Sequence, residues 1–532
     1  MKSSCIDYNE TGYFSSTITS YLEQDPRLSS FISYQPTIEG FKQLINNKKV
    51  SAGRKILVEE LQKQYSDPRL KNEESELVYR NIELLADNNT YTVTTGHQLN
   101  LFTGPLYFLY KIVTAINLAT ELKSNFPDKN FVPVYWMATE DHDFAEINHT
   151  KVHGKLISWD TNASGATGRI KLDSIAETVK EYKSALGISS NSEELASIIQ
   201  TAYLEHDNLA DATRYLVHSL FGRFGLVIID ADRREFKRQF ASIIEADLIN
   251  NTSFNTISNT SERLEEQGFK TQVNAREINF FYLKDGFRER ITQEGDVFYV
   301  LNSEIRFSKE ELINEVQNFP ERFSPNVIMR PLYQEIILPN LAYIGGGAEI
   351  VYWLQLKKNF DAYNTDFPIL ILRNSALVFD KAISPKLSAL GLGIEDLFKK
   401  TEEIKNLFVR SHTEHDLTLS DEWTELSCIF EKIKLRAYKI DPTLSPSTEA
   451  VKARLKHALS NLEKKLLRAE KRNHAESLTQ IENIRRKFFP GESLQERSEN
   501  FGLLYVKFGK NFIDELVEHF KPLDFKFTIL EP

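Results

Sequence analysis

One segment of the chain concentrates side chains that can exchange protons or bind metal ions. Glu140, Asp141, His142 and Asp143 are consecutive, and we call residues 138–149, which contain them, the acidic segment. Carboxylates and imidazoles are the usual general acids and bases, and carboxylates also bind Mg²⁺. An apolar run directly before the segment argues against a fully exposed loop, which is the alternative interpretation. Without an HExxH motif or a cysteine here, no metal ligand is assigned.

A second group of polar residues follows the preceding apolar run, in a stretch that we call the histidine turn (residues 94–105). Glycine there lets the backbone approach a ligand, the polar side chains offer hydrogen-bond donors, and the N-terminus of the next helix favours an anion. We predict a phosphate or carboxylate site, although neither common phosphate-binding fingerprint is present. An ordinary strand-to-helix turn is the alternative. The residues concerned are Gly96, His97, Gln98, Asn100, Thr103 and Gly104.

The glycine turn (residues 345–349) is a third candidate. Gly345, Gly346 and Gly347 precede a predicted helix, with Glu349 in its first turn. Three glycines cost backbone entropy, so we predict that a ligand needs the space. Close packing of strand and helix is the alternative for the glycines, and a capping carboxylate is the alternative for Glu349.

Two arginines are candidate anion partners. Arg330 lies before the glycine turn, and Arg373 follows an apolar run after it. A guanidinium pairs well with a carboxylate or phosphate. Each assignment rests on the residue type and its position near a predicted strand end.

Four strand-like runs, one of them β-branched and the others largely apolar, alternate with helical patterns and predict the sheet that positions these residues. Strands without a polar face belong in a parallel sheet covered by helices, whose ligands bind at the carboxyl ends of the strands. We therefore predict a Rossmann-like, doubly wound α/β core over residues 1–380, with insertions at about 150–215 and 255–330. The predicted strands cover residues 91–95, 131–139, 225–232 and 368–373.

Beyond residue 380 the apolar residues follow a heptad rhythm. Two such series flank a turn at residues 441–448, which contains two prolines. Alternating steps of three and four place apolar residues along one seam, as a coiled coil requires. We predict an antiparallel helical hairpin over residues 381–487, favour dimerisation through it, and expect residues 488–532 to return to the core. The series are Trp423, Leu426, Phe430, Ile433, Ala437 and Ile440, and Leu455, Leu459, Leu462, Leu466 and Ala469.

Composition excludes several classes of protein. The net charge of −10 argues against general nucleic-acid binding. With two cysteines, no disulfide framework is expected. The N-terminus lacks the apolar core of a signal peptide, and no apolar run is long enough to span a membrane. We expect a cytoplasmic protein without a membrane partner.

Four segments together resemble the cysteine-adding enzymes of bacillithiol biosynthesis, the cysteine ligases. They are TGHQLNLFTGPLYFLYK, PVYWMATEDHDFAEINH, FSPNVIMRPLYQEIILPNLAYIGGGAEIVYWLQL and LQERSENF. Their order and spacing agree over nearly the whole chain. The resemblance implies a Rossmann-like core with two connecting-peptide insertions, a coiled-coil domain and a homodimer formed through it. It also implies joining of the carboxyl group of L-cysteine to the amine of glucosaminyl-malate. Amide formation from a free acid is uphill in water, so we expect activation by ATP with Mg²⁺.

The working mechanism distributes these tasks among the three candidate segments. The histidine turn, with His97, holds phosphate or a substrate carboxylate. Glu140, Asp141 and Asp143 orient the cysteine ammonium or the metal, and His142 or Asp143 accepts the proton of the attacking amine. The glycine turn with Glu349 holds the second substrate, and the two arginines bind the malate carboxylates.

Two other functions remain open at this point. The acidic segment could serve a metal-dependent hydrolase of an amide or phosphoester. Alternatively, the chain could be a non-catalytic scaffold that binds a small molecule and uses the hairpin as a partner arm. Bound Zn²⁺ would favour the hydrolase, and cysteine-dependent consumption of ATP would favour the ligase.

Overall fold

The computed structural model describes residues 1–49 and 53–532. Its described residues form two compact units. The first comprises residues 1–9, 13–377 and 495–530, and the second comprises residues 10–12, 378–494 and 531–532. The predicted domain boundaries at residues 380 and 487 stay predictions, as do the limits of the insertions. Both rest on changes in the hydrophobic pattern along the sequence.

The strands are numbered in chain order. They are β1 (Lys2–Asp7), β2 (Thr90–His97), β3 (Asn130–Met137), β4 (His149–Val152), β5 (Lys155–Ser158), β6 (Val227–Asp230), β7 (Phe280–Lys284), β8 (Phe287–Glu294), β9 (Val297–Val300), β10 (Arg306–Ser308), β11 (Phe323–Pro325), β12 (Asn340–Gly345), β13 (Ile369–Leu372), β14 (Ala376–Val378) and β15 (Lys526–Glu531).

The α-helices are numbered in the same way. They are α1 (Tyr8–Thr11), α2 (Ser16–Leu22), α3 (Ile38–Asn47), α4 (Arg54–Gln64), α5 (Glu76–Leu84), α6 (Tyr107–Asn125), α7 (Phe144–Ile147), α8 (Ala176–Leu186), α9 (Ser190–Leu204), α10 (Leu209–Phe221), α11 (Arg234–Asn250), α12 (Thr252–Glu266), α13 (Lys309–Asn318), α14 (Arg330–Ile337), α15 (Gly347–Leu354), α16 (Lys357–Ala362), α17 (Ile383–Ala389), α18 (Thr401–His412), α19 (Ser420–Ile440), α20 (Ser445–Asn473), α21 (Ala475–Phe488), α22 (Gly502–Phe508) and α23 (Asn511–His519).

The first unit is built on a five-stranded sheet in the order β13-β12-β2-β3-β6. Every neighbouring pair in it is parallel. Counted along the chain, the strands lie in the order 3-2-1-4-5 from β6 to β13, which is the Rossmann order with its switch point between β2 and β12. The predicted Rossmann-like parallel sheet is confirmed. Ligands of such sheets bind outside the carboxyl ends of the strands at the switch point.

The buried apolar residues of the sheet explain why these runs form strands. Val93, Ile344 and Ile371, from three neighbouring strands, have no exposed surface and pack in one cluster with Ala115 and Leu118 of α6. Helix α6 begins at Tyr107 rather than at the predicted Gly104. Burial of these faces between sheet and helices is the main stabilising contribution to this unit.

Strand β12 was missed by the sequence analysis, which assigned four strands to the sheet. It has six residues and runs straight into the glycines, so the helix start was recognised and the strand was not. The helix predicted over residues 350–363 is two helices, α15 and α16. Because β12 pairs with both β2 and β13, it delivers the glycine turn beside the histidine turn.

The predicted insertions contain structure of their own. Residues 255–330 include an antiparallel sheet in the order β10-β9-β8-β7-β11. Residues 150–215 include the hairpin β4-β5, helices α8 and α9, and the start of α10. A third sheet has the order β1-β15-β14.

The second unit contains α17–α21, and α19 and α20 form the predicted hairpin. Lys452 bonds Glu431 at 2.6 Å, and Lys434 pairs with Glu449, so residue numbers rise on one helix as they fall on the other. This register makes the helices antiparallel, as predicted. Helix α20 ends at Asn473, near the point where the heptad rhythm fails. Within the described residues, no helix has the length and apolar character to cross a membrane.

Candidate active site

A cleft of about 710 Å³ lies at the switch point of the five-stranded sheet. Two of the three candidate segments contribute its centre, the histidine turn after β2 and the glycine turn after β12. The acidic segment contributes two residues at its edge. The residues that form it include Tyr13, Phe14, Gly96, His97, Gln98, Tyr107, Lys111, Ala138, Asp141, Arg330, Tyr343, Gly346, Gly347, Glu349, Arg373 and Arg497.

A buried ion pair joins the two turns. Lys111 of α6 is 3% exposed, and its ammonium pairs with Glu349. The same Nζ donates to the carbonyl of Gly96 at 2.9 Å. Burial acts to raise the pKa of Glu349, but the Lys111 ammonium together with the hydrogen bonds from Gly346 and Tyr343 holds that pKa below its usual value. Lys111 therefore ties the end of β2 to the start of α15.

The Glu349 carboxylate is fully engaged within the protein. Besides the lysine, it accepts hydrogen bonds from the Tyr343 hydroxyl at 2.7 Å and from the Gly346 amide at 2.8 Å. It thus caps α15, which was the alternative interpretation. Gly345 packs closely, since a Cβ there would lie 3.1 Å from the Cβ of Glu349. Gly346 and Gly347 face the cleft instead. Close packing therefore explains Gly345, and space for a ligand explains Gly346 and Gly347.

Three arginines line the cleft and differ in their partners. Arg373 donates to the fully buried Glu496 at 2.7 Å and to the Ser375 hydroxyl at 3.0 Å. Arg330 donates to the Gln334 amide oxygen at 3.0 Å and interacts with the Tyr352 hydroxyl, and its Nη2 is buried without a hydrogen bond. Arg497 bonds the carbonyl of Tyr13 at 3.3 Å. Among the described residues, neither Arg330 nor Arg497 has a carboxylate partner, so the cleft favours an anionic ligand.

His97 lies against aromatic rings at the side of the cleft. Its ring centroid is 5.4 Å from that of Tyr107 and 5.3 Å from that of Phe108. Burial, reinforced by the nearby Lys111 ammonium, lowers the pKa of His97 to about 3. Its Nε2 is buried without a hydrogen bond within the described part of the chain. A neutral imidazole at physiological pH can donate or accept one hydrogen bond to a ligand but adds no charge.

The later residues of the histidine turn do not line the cleft. Thr103 is buried, and both it and Gly104 have positive φ angles, of 70° and 65°. The Asn500 side chain holds this backbone by donating to the carbonyls of Phe102 at 2.9 Å and Gly104 at 2.8 Å. Asn100, which precedes them, is also absent from the cleft wall.

Amides at the start of the helix that follows are already engaged within the described part of the chain. The Leu106 amide donates to the carbonyl of Glu499 at 2.8 Å, and the Phe108 amide donates to that of Pro105 at 3.0 Å. An anion predicted at this helix start would compete with these bonds. The first amides of α15, at Gly347 and Ala348, have no partner within their own helix and face the cleft instead.

The acidic segment is split between two environments. Glu140 forms an ion pair with Lys237, which is fully buried and also donates to the carbonyl of Phe323 at 2.7 Å. Burial raises the pKa of Glu140, and the Lys237 ammonium opposes that effect. This pair lies outside the cleft wall. Asp141 does line the cleft, and its carboxylate accepts from Gln98 at 2.7 Å.

The remaining two residues of the segment have local partners. Asp143 caps the short helix α7 by accepting from the Glu146 amide at 3.4 Å. His142 accepts a hydrogen bond at Nδ1 from Arg288 at 2.6 Å. Because arginine can only donate, neutral His142 carries its proton on Nε2. Neither Asp143 nor His142 lines the cleft, and their catalytic roles stay predictions.

Several cleft residues were missed by the sequence analysis. Lys111 carries the one charge in the apolar start of α6, and a lone charge on a buried helix face was a usable signal. Arg497 lies in the LQERSENF segment but was not singled out. Tyr13, Phe14 and Ser15, near the N-terminus, carried no recognisable signal.

Comparison with known proteins covers both parts of the chain. Residues 1–374 match the family model described as the N-terminal Rossmann-like domain of bacillithiol biosynthesis BshC. Residues 376–532 match the model of its C-terminal coiled-coil domain.

Full-length relatives agree with these matches. A protein of Flavobacterium johnsoniae is 45% identical over 533 residues, covering 100% of both chains. A protein of Flavobacterium psychrophilum is 44% identical, again over 100% of both chains. One of Christiangramia forsetii is 42% identical over 100% of this chain and 99% of its own. Each bears the name "Putative cysteine ligase BshC". With a switch-point cleft between its Rossmann-like strands and a coiled-coil hairpin beyond them, the chain belongs to the BshC family of bacillithiol biosynthesis.

Proposed function

We propose that this chain is a cysteine ligase that joins the carboxyl group of L-cysteine to the amine of glucosaminyl-malate, forming bacillithiol with ATP as the energy source. The observation that carries the proposal is the cleft, where Arg330 and Arg497 have no carboxylate partner among the residues that the structure describes. A malate group brings two carboxylates, and guanidinium groups bind carboxylates with charge-assisted hydrogen bonds. The names of the relatives supply the reaction class.

The malate end of the substrate is assigned to Arg330 and Arg497. Arg373, the other predicted malate ligand, already pairs with Glu496, and only its Nε remains without a hydrogen bond. We therefore give Arg373 the secondary role of donating one hydrogen bond toward the glycine turn, where a Cβ on Gly346 would lie 3.8 Å from that Nε.

The fit of ATP rests on the glycine turn. Gly346 and Gly347 have no side chains to fill the cleft, and the amides of Gly347 and Ala348 at the start of α15 suit phosphate oxygens. ATP supplies a phosphoryl or adenylyl group that turns the cysteine carboxylate into a reactive acyl group. Mg²⁺ bound largely by phosphates and water needs only one or two protein carboxylates. The Glu349 carboxylate in the cleft is already paired with Lys111, so the ion would be held mainly by phosphate and water oxygens.

The chain's own residues then orient the amine and remove its proton. As the C–N bond forms, the bond between the acyl carbon and the phosphate oxygen breaks, and the amine must lose a proton. Asp141 faces the cleft, whereas His142 has Nδ1 occupied by Arg288 and its proton on Nε2. We therefore assign proton acceptance to Asp141 in preference to His142 or Asp143.

The test is incubation of the purified chain with ATP, cysteine and glucosaminyl-malate, with detection of the product by mass. We expect bacillithiol to appear only when all three are present, with AMP or ADP formed in equal amount. Product formed without ATP, or ATP consumed without cysteine, would refute the proposal. Serine in place of cysteine is the matched control, because it differs only in the thiol.

Assembly through the hairpin belongs to the same proposal. The hairpin exposes large apolar side chains, including Leu435 at 63% and Tyr438 at 57% exposed. A second copy that covered them would remove this area from water. Sedimentation equilibrium should report a dimer, and Leu435→Glu with Tyr438→Glu should shift it to a monomer.

No observation favours the rival hydrolase or the scaffold. Within the described residues, side chains with metal-ligand geometry come together at Glu515, Glu518 and His519, which are not part of the acidic segment. Metal analysis of the purified chain distinguishes the hydrolase from the ligase. A stoichiometric Zn²⁺ together with ATP-independent hydrolysis would favour the hydrolase.

A further inference from the structure

A row of buried polar side chains runs from the cleft into the core. Arg330 in the cleft wall donates from Nη1 to the Gln334 amide oxygen at 3.0 Å. The Gln334 amide nitrogen donates to Oε1 of Glu335 at 2.9 Å. Asn340, at the start of β12, donates to the same Oε1 at 2.7 Å. Gln334 and Asn340 have no exposed surface, and Glu335 is 7% exposed. We call this row the polar relay.

The far end of the polar relay is anchored in the sheet. The Asn340 side-chain oxygen accepts from the Thr94 hydroxyl at 2.8 Å and from the Thr92 hydroxyl at 3.1 Å. Asn340 must therefore present its NH₂ group to Glu335. Two neighbouring strands, β2 and β12, thus fix where the Glu335 carboxylate lies.

Hydrogen-bond chemistry gives the relay a single orientation. Arginine only donates, so the Gln334 oxygen has to face Arg330. An ionised carboxylate only accepts, so the Gln334 nitrogen has to face Glu335. Removing the acceptor at Glu335 would leave the Gln334 amide free to rotate and present its NH₂ group to Arg330. Two donors face to face cannot bond, so Arg330 would lose its hydrogen bond to Gln334 and keep the Tyr352 hydroxyl as its side-chain partner.

The placement of Glu335 is costly, which calls for an explanation. Burial raises the pKa of Glu335 to about 7, with Lys48 as the main opposing charge. Its Oε2 has no hydrogen-bond partner within the described residues. A buried carboxylate with one unsatisfied oxygen destabilises a fold compared with an apolar residue of the same size. The alternative is that Glu335 serves only to satisfy Asn340.

We propose that Glu335 is a positioning residue for Arg330, acting through the Gln334 amide, and so sets the geometry of the anion-binding wall of the cleft. The consequence for substrate binding rests on the proposed function, whereas the effect on Arg330 itself does not. The relay would then link strand β12, through the start of α14, to the side chain that meets the substrate.

The decisive experiment measures the reactivity of Arg330 without any substrate. Full-length wild type, Glu335→Met and Glu335→Gln are treated with phenylglyoxal, and the modification rates of Arg330 and Arg497 are compared by peptide mass spectrometry. Arg497 is the internal reference, because it has no contact with the relay. We expect Glu335→Met to raise the Arg330 rate about fivefold, the factor that corresponds to one hydrogen bond.

Glu335→Gln is the conservative variant that should restore the wild-type rate. A glutamine keeps an oxygen acceptor at the position of Oε1 and places its nitrogen where Oε2 has no partner. Asp361→Asn is the matched control, since Asp361 pairs with Lys357 and Lys358 of its own helix α16 and does not touch the relay. An Arg330 rate that is unchanged in Glu335→Met, or raised equally in Glu335→Gln, would overturn the proposal.

A second variant covers the case in which Glu335→Met does not fold. Gln334→Glu preserves the volume but puts a carboxylate against Arg330, and it should slow the Arg330 reaction below the wild-type rate. A rate that stays at the wild-type value would also overturn the proposal. In the ligase assay, Glu335→Met should raise KM for glucosaminyl-malate about tenfold with little change in kcat, the pattern of lost ground-state binding. If Arg330 reactivity changes and this KM does not, the relay stands and the substrate assignment fails.

Discussion

The acidic segment after β3 and the glycine turn after β12 each supply the glutamate of an ion pair with a buried lysine, yet only one of these pairs lies at the cleft. Lys111 and Glu349 form part of its wall. Lys237 and Glu140 are buried elsewhere, against the carbonyl of Phe323. The segment with more charge in the sequence thus contributes less to the cleft than the segment with almost none.

The difference teaches how local charge density should be interpreted. Acidic side chains in a row must each find a partner when the chain folds, and those partners come from distant elements. Glu140 is taken by a lysine of α11, and Asp143 by the amides of its own helix. A glycine turn leaves space and free amides instead. In this protein, a cavity lined by arginines without carboxylate partners among the described residues indicates the site better than a cluster of acidic residues in the sequence does.

The largest expected effect compares the two buried pairs directly. Lys111→Met and Lys237→Met each leave a largely buried carboxylate without its cation. The free energy of unfolding should fall by about 3 kcal/mol in Lys237→Met and by less in Lys111→Met, because the Glu349 side chain is 24% exposed. Denaturant unfolding measures this loss. The folded fraction of Lys237→Met should keep wild-type kcat/KM, whereas Lys111→Met should not. Equal loss of activity in both variants would break the distinction between the two regions.

The next effect concerns the unpaired cations. Arg330→Gln should lower kcat/KM for glucosaminyl-malate about 100-fold, because charge-assisted hydrogen bonds to a carboxylate are lost. The loss should appear chiefly in KM. Arg238→Gln, an exposed arginine on α11, is the matched control and should behave as wild type. A wild-type KM in Arg330→Gln would show that the substrate carboxylate does not bind at this wall of the cleft.

A pH experiment sharpens the picture of the cleft's positive wall. Burial lowers the pKa of His97 from 6.5 to about 3. Between these two pH values, His97 is protonated in the unfolded chain and neutral in the folded chain. Stability should therefore fall by about 2 kcal/mol as the pH drops from 6.5 to 5. His97→Gln, which has no proton to gain, should lack this part of the loss. Parallel unfolding curves for wild type and His97→Gln across that range would contradict the assignment.

The smallest effect separates neighbours within the acidic segment. Asp141→Asn should lower kcat about tenfold, since Asp141 faces the cleft and is assigned the proton of the amine. Asp143→Asn should change kcat less than about twofold, because asparagine caps a helix as well as aspartate does. The reverse order would contradict the assignment to Asp141 and favour Asp143, which the sequence analysis names beside His142 as the proton acceptor.

The sequence predicted the architecture better than the contacts. Apolar runs such as residues 131–139 identify buried strands because burial on both faces leaves no other pattern. Strand β12 escaped because six residues ending in glycine carry little periodicity. The partner of Glu140 lies on α11 and that of Arg373 is Glu496, so neither pairing can be seen in a local window. The roles predicted for His97, His142 and Asp143 are chemical claims that await the assays above.

One contact across the cleft has a consequence for how the protein is made. The Arg497 guanidinium bonds the carbonyl of Tyr13, and Asn500 holds the backbone of Phe102 and Gly104. The ribosome synthesises residue 13 long before residue 497. The early strands can pair during synthesis, but their binding surface stays open on one side until nearly the whole message has been translated. Nascent chains stalled before residue 497 should therefore be folded in part and unable to turn over substrate.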